Sequence, residues 1–273
     1  MFVLNNDIDE YDDDRWCNCI ALHDFQNESV KWQEWFEFAL SFYAKHGLEP
    51  TRLAVNGTRY GNSVKSLTFK GGLKKLQKYN FKDIEDLIFM AMPNKDDYTT
   101  NFIINSSLSS DKKNSNTSEV VMCFDEKLEA FNYEIFAGIA NNLHKFTNAK
   151  YGYYYHRHLK NSPDIYSTGG NSPFVDENDK EKCFTWTKKY IYNTNKFYRT
   201  GNLRDIYKLN FLSLEHLDWQ INDQQTLRQW INSSPNHGTL NELSTGFWSW
   251  YVEESQIPNV RKSLIPSGII LCV

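Results

Sequence analysis

The 273-residue chain carries 30 Lys and Arg against 34 Asp and Glu, a formal net charge of -4, and is 40% hydrophobic and 15% aromatic. That composition fills a sizeable core and excludes a disordered chain. The acidic balance argues against direct nucleic-acid binding, which calls for a basic face, and favours a basic protein as partner.

In chain order, "MFVLNNDIDEYDDD" packs six carboxylates (Asp7, Asp9, Glu10, Asp12, Asp13 and Asp14) into a stretch that repels itself, so residues 1–15 read as an acidic N-terminal arm. A secretory signal would need a positive start there. No run approaches the roughly 20 apolar residues that cross a bilayer, so the expectation is a cytoplasmic chain with no membrane partner. "WCNCIALHDF" (16–25) reads as a largely buried strand. The next segment predicts a helix, with Trp32, Trp35, Phe36, Ala39, Leu40 and Tyr43 at three- and four-residue steps, Asn27 or Ser29 as cap and Gly47 as stop.

Residues 48–98 mix short strands near "TRLAV", "SLTF" and "DLIFMAMP" with a small helix in "GGLKKLQKY". "TTNFIINSSL" and "EVVMCFDE" form a predicted hairpin around "SSDKKNSNTS", a polar segment expected to be mobile. "NYEIFAGIANNLHKFTN" predicts a second helix, and "YGYYYHRHLK" a strand. Strand, helix, an insertion, two strands, helix, strand is the order of a ferredoxin-like unit, with an antiparallel sheet and helices on one face. The predicted fold class is α+β, with antiparallel or mixed sheets and packed helices. The boundaries are 1–15 for the arm, 16–159 for the ferredoxin-like unit with its insertion, and 160–273 for a C-terminal α+β part packed on the first. Within that part 160–182 reads as a long connection and "KEKCFTW" as a strand. "TLRQWI" reads as a helix, "GFWSWYVEE" as a strand and "IPNVRKSL" as a helix with Pro258 near its start.

Candidate sites are few. His156 and His158 lie two residues apart and therefore share one strand face, where they could hold a metal ion or act with an acid such as Asp164. Neither reading has the further ligands or the nucleophile it needs, so they read as ordinary strand residues. Cys17, Cys19, Cys123, Cys183 and Cys272 are scattered and odd in number, which fits buried free thiols. A single Cys-x-Cys pair is short of a zinc set. No cofactor and no catalytic residue is expected. "KGGLKK" lacks the closing Lys-Ser/Thr of a phosphate loop and reads as a turn. The candidate partner-binding residues are Asp9, Glu10, Asp12, Asp13 and Asp14 of the arm, a second acidic cluster at Asp176, Glu177 and Asp179, and Trp248 and Trp250 as aromatic anchors.

"AKYGYYYHRH", "NLRDIYKLNFLSLEHL", "TLRQWI", "GTLNELSTGFWSWYVEES" and "IPNVRKSLIPSGIIL", in this order, resemble the immunity proteins of bacterial polymorphic-toxin and type VI secretion systems, over roughly residues 130–273. The resemblance implies a non-enzymatic antitoxin that binds a cognate secreted toxin stoichiometrically; it carries over no catalytic and no toxin-contacting residue. Two alternatives stand beside it: a metal- or histidine-dependent enzyme built on His156 and His158, and a mobile-element inhibitor of a host defence enzyme. Replacing Asp12, Asp13 and Asp14 together by Asn is expected to slow association with a basic partner in stopped-flow measurements and to flatten its salt dependence. An unchanged low-salt rate removes the arm from the mechanism.

Overall fold

The computed structural model describes residues 15–61, 67–93, 101–110, 118–170, 172, 174–190 and 201–272. The acidic arm's Asp9, Glu10, Asp12, Asp13 and Asp14 lie outside the described residues, as do 111–117 of the polar segment. In chain order come β1 (Trp16–His23), α1 (Trp32–Lys45), β2 (Arg52–Asn56), β3 (Leu67–Thr68), α2 (Phe69–Lys78), β4 (Asp86–Ala91), β5 (Ile104–Ser109), β6 (Glu119–Asp125), α3 (Tyr133–Thr147) and β7 (Tyr151–His158). They are followed by α4 (Pro163–Tyr166), α5 (Glu177–Tyr190), β8 (Leu209–Leu212), α6 (Leu214–Leu217), β9 (Gln220–Asn222), β10 (Gln225–Thr226), α7 (Leu227–Asn232), β11 (Thr239–Ser244), β12 (Phe247–Tyr251) and α8 (Ile257–Leu264).

The fold is α+β. One antiparallel sheet of ten strands runs in the order β11-β12-β8-β7-β1-β6-β5-β4-β2-β3, and β9 pairs with β10 alone. The four strands of the expected ferredoxin-like unit stand side by side as β7-β1-β6-β5. β8, β12 and β11 extend the same sheet beyond β7, so residues on both sides of position 160 share it. The helices form where the apolar periodicity places them. α1 buries Trp32, Trp35, Phe36, Ala39, Phe42 and Tyr43. α3 buries Phe136, Ile139, Ala140 and Leu143, starts on the Asn132 side chain and ends at Asn148 in the left-handed conformation.

Helices cover both faces of the sheet, not one. Ile20 and Leu22 of β1 face α1 and α3, with Tyr154 and Phe124 beside them. Cys17, Cys19 and Ala21 face the other way, into a core shared with Trp186 of α5, Leu217 of α6, Trp230 of α7 and Leu264 of α8. β1 lies between two neighbours and two layers, so all but Trp16 of its eight residues are buried. All five cysteines are free and buried. Where β7 crosses β1 the backbones are so close that a Cβ on Gly152 would meet Leu22 Cδ2 at 2.2 Å and the Ala21 carbonyl oxygen at 2.5 Å.

Several local expectations are corrected. Asn27 and Ser29 do not cap α1: the Asn27 amide donates to the Ile84 and Ser110 carbonyls, and Ser29 Oγ to the Thr147 carbonyl. Gly71 and Gly72 lie within α2, capped by Thr68, because the bare Gly72 lets the helix settle on Leu53. The stretch 160–182 contains α4 and the start of α5, and Cys183 sits in that helix, not in a strand.

The second layer is fastened by Arg204, which is 1% exposed. Its backbone N–H donates to Tyr151 Oη at 2.9 Å, and Nη1 donates to Tyr153 Oη (2.7 Å) and the carbonyls of Tyr166 (2.8 Å) and Ser167 (3.3 Å). The guanidinium also lies 4.0 Å from the Tyr166 ring centre and 4.9 Å from that of Trp186. Replacing Arg204 with Ala would leave a cavity and take the guanidinium donor from Tyr153 Oη and the Tyr166 carbonyl. The expected loss is about 3 kcal/mol or more in urea unfolding, whereas Tyr153→Phe, which removes one hydrogen bond, is expected to cost about 1 kcal/mol. Equal, small effects would mean that the cluster is not a fastening.

Candidate functional site

Toward its β2 end, the sheet face that carries Arg204's tyrosines stops being apolar. Alternation sets Arg52 and Ala54 of β2, Asp86, Ile88 and Met90 of β4, Asn105, Ser107 and Ser109 of β5, and Glu119 of β6 on that face. They floor a cavity of about 420 Å³, with Asp164 and Ile165 of α4 as its wall. The register confirms the shared face: Asp86 stands opposite Ser109, Ser109 opposite Glu119, and Met90 opposite Asn105.

The cavity is acidic. Asp86 accepts from Asn56 Nδ2 at 3.0 Å and from Ser109 Oγ. Glu119 accepts from Ser167 Oγ at 2.9 Å. Burial pushes the Glu119 carboxyl up to about 7, with the Asp86 and Asp164 charges adding to the rise, against the Ser167 hydrogen bond and the Arg204 charge. Asp164 is likewise raised to about 6 by burial, opposed by its own and the Ile165 backbone N–H. Among the described lining residues Arg52 is the only basic one. Asn105 is 4% exposed, and its side-chain amide has no hydrogen-bond partner among the described residues. Such a site can accept hydrogen bonds from a cation, and carboxyls titrating near neutrality can also exchange a proton with a bound molecule.

A second cavity, of about 250 Å³, lies between β7 and residues 206–208 and includes Arg157, Tyr166, Tyr207, Lys208 and Glu254. Its cations are already matched: Arg157 with Asp179 at 2.6 Å and Lys208 with Glu254 at 2.9 Å.

Apart from Asp164, the residues singled out from sequence lie elsewhere. His156 and His158 share a face as expected, at the edge of Trp16: the His156 ring stacks on it at 4.9 Å and its Nε2 meets Glu126 at 2.7 Å. His158 Nδ1 accepts the Lys160 N–H. Asp164 lines the cavity on the opposite sheet face, so the structure does not bring it to the histidines. No group of three His, Cys, Asp or Glu among the described residues could hold a metal ion. Asp176, Glu177 and Asp179 stand at the start of α5, each committed locally: Asp176 caps the Asp179 N–H, Glu177 meets Lys180 at 2.7 Å, and Asp179 pairs with Arg157. Trp248 and Trp250, expected as surface anchors, are 7% and 0% exposed. Both lie in the core because β12 is flanked by β11 and β8 and covered on both faces, Trp250 Nε1 donating to the His237 carbonyl at 2.8 Å. Asp86, Asn105 and Glu119 were not among the sequence candidates; the available signal was the polar alternation Asn105, Ser107, Ser109 along a strand.

The fold is shared with a protein of known structure. The Pseudomonas aeruginosa T6SS protein PA0821 superposes with a TM-score of 0.58 at 9% sequence identity, covering 94% of this chain and 73% of its own. No family model and no curated protein matches the chain. No helix among the described residues is long and apolar enough to cross a membrane.

Because native Glu119 holds its proton more tightly than the unfolded chain does, its contribution to stability is full below the unfolded value near 4.5 and is lost as pH rises through about 7. Glu119→Gln is therefore expected to be more stable than the wild type by about 3 kcal/mol near pH 8 and equal to it near pH 4, in urea titrations. A difference that does not change with pH would contradict the raised carboxyl.

Proposed function

We propose that this protein neutralises a secreted bacterial toxin in the cytoplasm of the producing cell by binding it one-to-one, with the acid-lined end of its sheet in the contact. The observation that carries the reading is the cavity itself, lined by Glu119, Asp86 and Asp164 with a single described basic neighbour, Arg52. A field of that sign attracts a basic partner and repels nucleic acid. Two likenesses support it: the shared fold with a T6SS protein over 94% of the chain, and the sequence resemblance of residues 130–273 to immunity proteins. Trp248 and Trp250 are buried and take no part in the contact. The arm residues Asp9, Glu10, Asp12, Asp13 and Asp14 remain in the proposal as a steering element.

Co-expression with each type VI effector toxin domain of the producing bacterium tests the reading. The expected result is restored growth with one toxin, and a stoichiometric complex with it on size-exclusion chromatography. Reversing the cavity's charge with Glu119→Lys and Asp164→Lys is expected to weaken that complex about tenfold or more. Protection against none of the toxins, with no complex formed, overturns the reading.

A further inference from the structure

Asn105 is a polar side chain of this cavity with hydrogen-bonding capacity to spare. Here it is 4% exposed, lines the cavity, and has no partner among the described residues. On the same strand Ser107 lines the cavity floor, and Ser109 is turned to Asp86. The groups around this space are overwhelmingly acceptors: three carboxylates, the Asn105 carbonyl oxygen and the serine hydroxyls.

The spacing limits what could be bound. No three acidic, His or Cys side chains among the described residues are grouped tightly enough for a metal ion. Carboxylates spread around about 420 Å³ suit a larger, hydrogen-bond-donating cation. A planar guanidinium presents five donors in a fork that meets carboxylates bidentately, and a primary ammonium presents three. Ile165, 43% exposed on the wall, offers an apolar surface for the methylene stem that carries such a head group.

We infer that the cavity bounded by Asp86, Asn105, Ser107, Glu119 and Asp164 is a binding site for one organic cation, a guanidinium or primary ammonium on an aliphatic stem. Asn105 and Ser107 are the neutral acceptors, and Asp86, Glu119 and Asp164 supply the charge. Burial raises the Glu119 and Asp164 carboxyls. An arginine or lysine side chain of a protein partner and a free small cation share this chemistry. The first source rests on the toxin-binding reading; the site does not.

The test is a titration of the full chain without toxin, followed by amide NMR and calorimetry, using N-acetyl-arginine amide, agmatine, and uncharged N-acetyl-citrulline amide. Saturable shifts centred on Asn105, Ser107 and Glu119 are expected for the two cations and none for citrulline. Glu119→Gln and, independently, Asp164→Asn are each expected to weaken binding about tenfold, both checked for folding by circular dichroism. Comparable affinities for the two cations assign the site to a side chain delivered by a partner. Agmatine binding tenfold or more tightly assigns it to a free small cation. Absence of saturation by either cation, or equal binding of citrulline, overturns the site. Because no toxin is present, that failure would leave the co-expression result standing, and a failed co-expression would leave this one standing.

Discussion

A buried guanidinium fixes the relation between the two halves of the structure. Arg204 reaches across from the C-terminal layer to the tyrosines of β7 and the end of α4, and everything on that sheet face is placed relative to it. An arginine keeps its charge in such a setting, so the surroundings must supply acceptors and ring faces in place of water. Tyr151, Tyr153, Tyr166 and Trp186 do so. Tyr155 adds a further tie, its hydroxyl donating to the Pro163 carbonyl at 2.7 Å. The run of tyrosines at 151–155 is thus an adhesive between layers: alternate hydroxyls reach into the second layer while Tyr154, on the other face, donates to Asn18.

The cavity inherits its shape from the same contact. Arg204 holds the carbonyls of Tyr166 and Ser167; Ser167 in turn donates its hydroxyl to Glu119. Trp186 Nε1 donates to the same Ser167 carbonyl at 2.7 Å. The α4 segment is therefore pinned from behind, and Asp164 and Ile165 form a wall with little freedom to swing away. Arg204 also lowers the Glu119 carboxyl through its charge, yet the net shift is upward, so burial wins over that attraction. A positive charge inside the cavity would tip the balance the other way.

Much of the fold was legible in the sequence because its signals are local. The 3.6-residue stripes of α1 and α3 and the alternation of β7 place those elements directly. What escaped was the second layer, although a sign of it was present. "CNCIALH" is buried at every position, which only a strand covered on both faces can be, whereas a sheet open on one side alternates. "GFWSWY" carries the same sign: with tryptophans on one face and Phe247 on the other, its tryptophans belong inside. α5 was misread because its apolar residues are sparse, with Cys183 and Trp186 alone in its buried stripe among lysines, threonines and acids. The site as a set was not legible, and Asp164 was named only as a partner for the histidines: Asp86, Asn105, Glu119 and Asp164 come from four elements, and only the register of β4, β5 and β6 brings the first three together.

β1 and β5 set a covered face beside one that stays open. Both are interior strands, paired on each side. On the face of Arg204, β1 presents Cys17, Cys19 and Ala21, and the second layer closes over them; β5 presents Asn105, Ser107 and Ser109, and a cavity remains. Filling that cavity with apolar side chains would be the more stable arrangement by ordinary packing energetics. A sheet interior that keeps polar groups and half-buried carboxylates retains a cost to stability, which is characteristic of a surface shaped to receive something else.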